Sequence, residues 1–198
     1  MTIAFLVVVA YLIGSIPTGV IVGRFVGVDP RAAGSRNIGM TNVARTVGLG
    51  PALVTFAGDI LKGAIPVACA RAISSEPVSI AAVAIAAFIG AIASIFLGFK
   101  GGKGLSAALG IWVVISPPTL LIALAAFGIV VASTRTMSLA SMAAAITAPP
   151  AAVLMHLPRE FVMLAIVMCA LALIRHTENI GRLMRGEEKQ FRVKSTGT

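Results

Sequence analysis

The sequence predicts an all-α integral membrane protein with about seven transmembrane helices. Its 198 residues are 58% hydrophobic and only 12% charged, whereas a soluble domain of this size carries roughly a quarter charged residues. The mean hydropathy is +1.01, so too few polar side chains are present to cover a water-facing surface. Long uncharged runs recur along the chain, and each is predicted to be helical because lipid offers no hydrogen-bond partner to an open strand edge.

The apolar runs divide the chain into seven predicted spans. The first lacks a basic amino-terminal region and a small-residue cleavage site, so we expect a retained helix rather than a signal peptide. The fourth is shorter than the roughly 20 residues of a full crossing, and the break at Ser116-Pro117-Pro118 joins it to the fifth as a helical hairpin. The spans are residues 2–23, 48–70, 78–98, 105–116, 118–134, 138–156 and 161–175.

The positions of Lys and Arg predict the orientation of these spans. With the amino terminus outside, all but two of the 16 basic residues fall on one side, and only Arg71 and Arg159 fall on the other. We therefore expect the carboxyl terminus and the basic loops to face the cytoplasm. Residues 176–198 are polar, which predicts a cytoplasmic helix and tail within a single domain of residues 1–198.

The net charge of +9 calls for anionic partners. Nucleic acid is excluded because the chain has one Trp and one Tyr, and because its basic residues flank apolar spans. Lipid headgroups and an anionic substrate explain the charge better. Cys69 and Cys169 lie a hundred positions apart inside apolar runs, so neither a disulfide nor a metal site is predicted. We expect no cofactor and find no pattern that implies an obligate protein partner.

The longest polar segment is GSRNIGMTNVARTVG, Gly34 to Gly48, which contains no acidic residue. It combines glycines, neutral hydrogen-bonding side chains and arginine, the groups that a phosphate binds. The alternative is a solvated basic loop, which would not need two asparagines among so many glycines. The candidate ligands are Ser35, Asn37, Gly39, Thr41, Asn42 and Arg45.

Asp59 and Lys62 lie inside the second apolar run, three residues apart. They share a helix face and can form an ion pair. Charges at this depth cost roughly 2.5–3.5 kcal/mol each on insertion scales, so both side chains should face the bundle interior. The pair either supports the structure or contributes to a site, and the sequence alone favours neither.

The segment FKGGKG, Phe99 to Gly104, follows about twenty uncharged residues. It fails the nucleotide-binding pattern, which requires G-x-x-x-x-G-K-[ST] after a strand. A glycine turn at a helix start remains, and we predict an anion site there from the N–H groups of Gly101 and Gly102 with the ammonium groups of Lys100 and Lys103. Lysines that merely reach toward the membrane surface would explain the charge but not three glycines.

A fourth polar segment joins Ser138 and Ser141, at the start of the sixth span, to the end of the seventh. There His176 and Asn179 lie three residues apart and project from one helix face. A lone His at a helix end is commonly a cap or an anchor, but here it lies on the same membrane side as the other polar segments. No spacing fits a nucleophile–His–carboxylate triad or a metal site, which indicates catalysis by positioning and electrostatics.

These motifs resemble those of the bacterial acyl-phosphate:glycerol-3-phosphate acyltransferases. The resemblance rests on GSRNIGMTNVARTVG, DILKG, FKGGKG and RHTENIGRL in the family's order, with YLIGSIPTG matching the first span. It covers residues 11–190. It implies a seven-helix enzyme of the bacterial inner membrane with its active site facing the cytoplasm. The implied reaction moves a fatty acyl group from acyl phosphate to the 1-hydroxyl of glycerol 3-phosphate.

The resemblance also implies roles for individual residues. The family's substrate-binding and catalytic positions fall on Ser35, Arg45, Lys103, Ser141, His176 and Asn179, and its phosphate-binding loop falls on Asn37, Gly39, Thr41 and Asn42. In one place the chain departs from the family. Where the family has G-H-x-F-P before the lysine loop, this chain has Gly90-Ala-Ile-Ala-Ser94, so Ala91 replaces the family's histidine.

That departure leaves a changed donor or a lost activity as an alternative within the family. A thioester donor in place of acyl phosphate is one form of it. Outside the family, an organic-phosphate transporter would also use glycine, arginine and buried charge. A carrier would place these groups near the bilayer centre between repeats, whereas here they lie at one face and no repeat is visible. A scaffold protein would leave the glycine loops unexplained.

Overall fold

The structure is a computed structural model that describes residues 2–190, and the part of the predicted tail beyond residue 190 lies outside them. Helices account for the regular structure of this range, which contains no strand. The all-α prediction is therefore confirmed. The helices are α1 Thr2–Gly14, α2 Thr18–Phe25, α3 Met40–Thr46, α4 Leu49–Ile73, α5 Pro77–Ile92, α6 Leu105–Ile115, α7 Pro117–Thr134, α8 Met137–Leu154, α9 Arg159–Arg175 and α10 Thr177–Met184.

Five helical segments within residues 2–190 are long and apolar enough to cross a membrane, and a sixth is counted if α9 and α10 form one bent span. The two helices of that pair meet at 58°. Helix α6 has 11 residues, and its short length agrees with the predicted hairpin of the fourth and fifth spans. The break between them is capped by Ser116, whose hydroxyl accepts a hydrogen bond from the Thr119 N–H at 3.4 Å.

The predicted first span, residues 2–23, is interrupted in the structure. Helix α1 ends at Gly14 and α2 begins at Thr18, because Pro17 has no N–H to continue the helix and its ring clashes with the preceding turn. The carbonyl oxygens freed at the break are satisfied by side chains from other segments of the chain. Lys62 Nζ donates to Ile16 O at 3.2 Å, and the Ser94 hydroxyl donates to Ser15 O. Broken helices at membrane depth require such partners.

Small residues let α4 and α6 pack closely. A Cβ added at Gly63 would lie 2.1 Å from the carbonyl oxygen of Ala107, and one at Gly110 would lie 2.0 Å from that of Ile60. Close backbone approach through glycine is the usual device of helix association in membranes. This close packing holds α6 against α4. It also holds the loop that precedes α6 beside the first polar loop.

The remaining helices complete a bundle around an internal cavity. Helix α5 packs between α1 and α9, α8 packs on α9, and α7 pairs with α8. The ends of α5 and α9 and the starts of α4, α6 and α8 lie at one end of the bundle. The polar loops join the helices at that end, so the topology brings separate segments of the sequence to one place.

Candidate active site

One cavity of about 450 Å³ opens among these loops and extends into the bundle. Its lining is polar near the loops and apolar deeper inside. The polar and charged residues that line it are Ser35, Asn37, Thr41, Asn42, Arg45, Asp59, Lys62, Lys103, Ser106, Ser138, Ser141, His176, Asn179, Arg182, Glu188 and Lys189. Gly39 and Gly102 also line it. The four polar segments of the sequence therefore meet at a single site.

The first polar loop is held in shape by its own asparagines. The buried Asn42 amide donates to the carbonyl oxygens of Pro30 and Asn37, both at 2.8 Å, and its Oδ1 accepts the Ser35 N–H at 2.8 Å. Asn37 Oδ1 accepts the Gly39 N–H at 2.9 Å. The predicted phosphate donors at Asn42 and Gly39 are thus engaged within the loop. They act by shaping it, and Ser35, Asn37, Thr41 and Arg45 line the cavity as its remaining candidate ligands.

The glycine loop is also more firmly bonded than predicted. The Gly101 N–H donates to Ile92 O at 3.2 Å, and the Gly102 N–H donates to Ala91 O at 3.0 Å. Arg175 donates to the carbonyl oxygens of both glycines, at 2.8 and 3.2 Å. The predicted role of these two N–H groups as anion donors is corrected, because both are already engaged with the end of α5.

Lys103 is the residue that this loop presents to the cavity. Its Nζ donates to Asn179 Oδ1, whereas Lys100 is exposed and does not line the cavity. Burial is the main cause that lowers the pKa of Lys103 to about 8; the charge of Glu188 opposes this shift, and the positive charges of Arg182 and Arg45 add to it. A phosphate that binds beside Lys103 raises the pKa of this lysine again, because a nearby negative charge favours the protonated form.

His176 follows the last residue of α9 and is 1% exposed. Its Nδ1 lies 2.7 Å from Ala172 O. A carbonyl oxygen only accepts, so Nδ1 carries the proton and Nε2 is left as an acceptor. Burial, and then the charge of Lys103, lowers the pKa of His176 to about 4. The imidazole is therefore neutral at pH 7 and able to accept a hydrogen bond.

Glu188 is a site residue that the sequence did not indicate. Its carboxylate accepts hydrogen bonds from Ser138 Oγ at 2.7 Å, Asn179 Nδ2 at 2.6 Å and Arg182 Nε at 2.7 Å. Burial raises the pKa of this carboxyl, but the hydrogen bonds from the three partners outweigh it and the pKa is lowered. No spacing in the sequence relates this residue to its partners, because α10 and a turn bring it back over the site.

The Asp59–Lys62 pair is formed, with Lys62 Nζ 2.8 Å from Asp59 Oδ1. Asp59 also accepts from the Thr18 hydroxyl, and Lys62 satisfies the carbonyl at the α1–α2 break. These contacts give the pair a structural role, and its position on the cavity wall places a fixed negative and a fixed positive charge beside the site.

Two further positions complete the placement of the predicted residues. Ser141 and Thr41 line the cavity, and so does Ala91, where the family pattern has histidine. Ala91 is 4% exposed, so the position that differs from the family pattern lies inside the site. The carbonyl oxygen of Ala91 accepts the hydrogen bond from the Gly102 N–H. Within residues 2–190 no group of three or more His, Cys, Asp or Glu side chains is arranged to hold a metal ion.

Comparison with known proteins agrees with this site. The family profile described as glycerol-3-phosphate acyltransferase matches residues 4–186. Glycerol-3-phosphate acyltransferases from Geobacter sulfurreducens and Rubrobacter xylanophilus are similar to the chain. The first is 46% identical, covering 95% of this chain and 97% of the relative. The second is 43% identical, covering 97% and 96%.

A solved structure is also similar. It is the crystal structure of PlsY, an integral membrane glycerol 3-phosphate acyltransferase, in its glycerol 3-phosphate form. It superposes with a TM-score of 0.93 at 36% identity, covering 97% of this chain and 96% of the other. The lysophosphatidic acid form of that enzyme gives a TM-score of 0.91. The family predicted from four polar motifs is therefore confirmed, and the chain belongs to the integral membrane glycerol-3-phosphate acyltransferases.

Proposed function

We propose that the protein transfers a fatty acyl group from acyl phosphate to the 1-hydroxyl of glycerol 3-phosphate, giving lysophosphatidic acid and inorganic phosphate. The observation that carries this proposal is the cavity itself, which joins a cationic, hydrogen-bonding mouth to an apolar interior. A substrate pair with two phosphates and one fatty chain matches both halves. The glycerol 3-phosphate and lysophosphatidic acid forms of the similar enzyme correspond to one substrate and the product of this reaction.

Arg45, Lys103 and Ser35 would bind the phosphates. Arg45 is positioned by a 3.3 Å hydrogen bond from Nη2 to Lys189 O, and Lys103 by its contact with Asn179. The two cations lie close enough for the charge of Arg45 to lower the pKa of Lys103. The positive charges of Arg45 and Lys103 offset the electrostatic repulsion between the two phosphorylated substrates. Each charge-assisted hydrogen bond contributes roughly 1.5–3 kcal/mol.

His176 and Asn179 would orient the attacking hydroxyl. The Nε2 of the neutral His176 accepts a hydrogen bond from the substrate hydroxyl. Asn179 holds Lys103 and the carboxylate of Glu188 in place. An imidazole with a pKa of about 4 is a weak base. The oxygen that leaves with the phosphate gains an electron pair as its bond to the acyl carbon breaks, so it becomes the stronger base and the better final acceptor of the proton.

The transfer step then balances without a cofactor. The hydroxyl oxygen forms a bond to the acyl carbonyl carbon, and the bond from that carbon to the phosphate oxygen breaks. The electron pair leaves with the phosphate, which takes up the proton of the hydroxyl. Acyl phosphate is a mixed anhydride with a good leaving group, so the residues act mainly by positioning and by electrostatic stabilisation.

The same proposal includes the topology and location. We infer a single domain with seven crossings, counting α6, the amino terminus outside, and the active site facing the cytoplasm of a bacterial inner membrane. The support is the side to which the basic residues are confined, since the segments that carry Arg45, Lys103 and Arg182 line the cavity mouth. A transporter site near the bilayer centre fits less well, because these cations lie at helix ends.

The direct test is an assay of the purified protein in detergent with palmitoyl phosphate and radiolabelled glycerol 3-phosphate. We expect lysophosphatidic acid and inorganic phosphate to appear in equal amounts, and no product when palmitoyl-CoA or palmitoyl-acyl carrier protein replaces the acyl phosphate. Product from a thioester but not from acyl phosphate would refute the proposed donor. The variant Ala91→His restores the family's residue, and comparison with it measures what the alanine changes.

A further inference from the structure

The apolar interior of the cavity is a second feature of the site. Below Ser106 on α6 and Ser141 on α8, the lining that α6 to α9 contribute contains no charged residue and no hydroxyl group. On α8 the lining continues as Ala144, Ala145 and Ala148. These residues share one face, because positions three and four apart lie above one another on a helix. Small side chains on this face keep the space open rather than filling it.

This interior has an end. The deepest lining residue of each of the four helices is Trp112 on α6, Leu120 on α7, Ala148 on α8 and Ala165 on α9. All four are buried, with exposed fractions of 4%, 9%, 7% and 0%. Along α8, the ten residues from Ser138 at the mouth to Ala148 correspond to about 15 Å at 1.5 Å per residue.

We propose that Trp112, Leu120, Ala148 and Ala165 form an end wall that sets the length of the acyl chain the enzyme accepts. The inference rests on the proposed function, because it takes the fatty chain of the acyl donor as the occupant. The continuity of the cavity identifies that occupant. When the reacting carbonyl lies at the mouth near Lys103 and His176, this apolar interior continues directly from it.

The wall selects by volume. A chain that ends short of it leaves apolar surface unburied, and a chain that is too long must bend or displace the side chains of the wall. One methylene more or less on a substrate that binds in an apolar pocket changes kcat/KM by roughly 10- to 200-fold. Filling the deep end with a larger side chain should therefore reject long chains while sparing short ones.

The experiment measures kcat/KM for decanoyl, dodecanoyl, palmitoyl and stearoyl phosphate with the purified enzyme and three variants. Ala148→Leu adds volume at the wall, and Ala144→Leu adds the same volume one turn nearer the mouth. Ala143→Leu is the matched control, since Ala143 lies on α8 outside the cavity lining. We expect Ala148→Leu to lower the ratio of palmitoyl to decanoyl activity by about tenfold or more, Ala144→Leu to lower it further, and the control to leave it unchanged.

A complementary variant keeps the inference testable if a larger residue prevents folding. Leu120→Ala removes volume from the wall and should raise the ratio of stearoyl to palmitoyl activity. Unchanged ratios in all the wall variants, or an equal fall for every donor, would overturn the inference, since the chain would then lie in the bilayer. An unaltered enzyme that transfers none of the four chains would refute the proposed function instead.

Discussion

The lowered pKa of Lys103 makes a direct prediction about the pH dependence of the reaction. In the free enzyme this pKa is about 8, below the ordinary lysine value near 10.4. As the pH rises above 8, Lys103 loses the charge that binds phosphate, so kcat/KM for glycerol 3-phosphate should fall. At pH 9 about one tenth of the molecules keep the charge, which predicts a decrease of about tenfold from the plateau.

The variant Lys103→Arg isolates the cause of this decrease. A guanidinium with a pKa above 12 stays charged throughout the range, so the alkaline decrease should disappear even if the plateau itself is lower. Lys100→Arg is the matched control, because Lys100 belongs to the same loop but does not line the cavity. That variant should keep the decrease of the unaltered enzyme.

The assay is the initial rate of lysophosphatidic acid formation between pH 6.5 and 9.5, with glycerol 3-phosphate well below its KM. Glycerol 3-phosphate is already a dianion over most of this range, since its second pKa is near 6, and an enzyme-free blank corrects for hydrolysis of the acyl donor. An alkaline decrease that persists unchanged in Lys103→Arg would contradict the assignment to Lys103, because another group would then be titrating.

Three further predictions concern binding and packing. Arg45→Ala should raise KM for glycerol 3-phosphate about tenfold or more in steady-state assays, and an effect as small as that of the exposed Arg24→Ala would contradict its role. Glu188→Gln should lower the thermal midpoint in detergent and the activity together, because a carboxylate with three hydrogen-bond partners is lost; an unchanged midpoint would show that the network does not stabilise the fold. Gly110→Ala should lower both quantities by moving α6 from α4, whereas Gly128→Ala, with no atom within 4 Å of an added Cβ, should alter neither.

The sequence indicated which residues would meet in one cavity where polar side chains are concentrated in short segments. Arg45, Lys103 and His176 stand out as polar residues at the edges of apolar runs, and placing those edges on one membrane face brings them together. Two physical constraints make this possible. Spans must be helical in lipid, and basic residues collect on one side.

Three features of the site escaped prediction for a common reason. The contacts of Glu188, the engaged N–H groups of Gly101 and Gly102, and the interruption of the first span at Pro17 each depend on partners distant in sequence. Spacing within a motif says which groups are present, but not whether another segment has already taken their hydrogen bonds. Pro17 could have indicated the break, since a proline inside a helix interrupts it.

If cations from separate polar segments bind substrate phosphate together in a shared pocket, Arg45 and Lys103 should both contribute to the binding of glycerol 3-phosphate. A double-mutant cycle on the dissociation constant of glycerol 3-phosphate, measured for the unaltered protein, Arg45→Ala, Lys103→Ala and the double variant, tests it most directly. We expect a large effect of each single change and a combined effect smaller than their product, with a coupling energy above about 0.5 kcal/mol. Effects that multiply without coupling, or single variants that bind as tightly as the unaltered protein, would contradict this expectation.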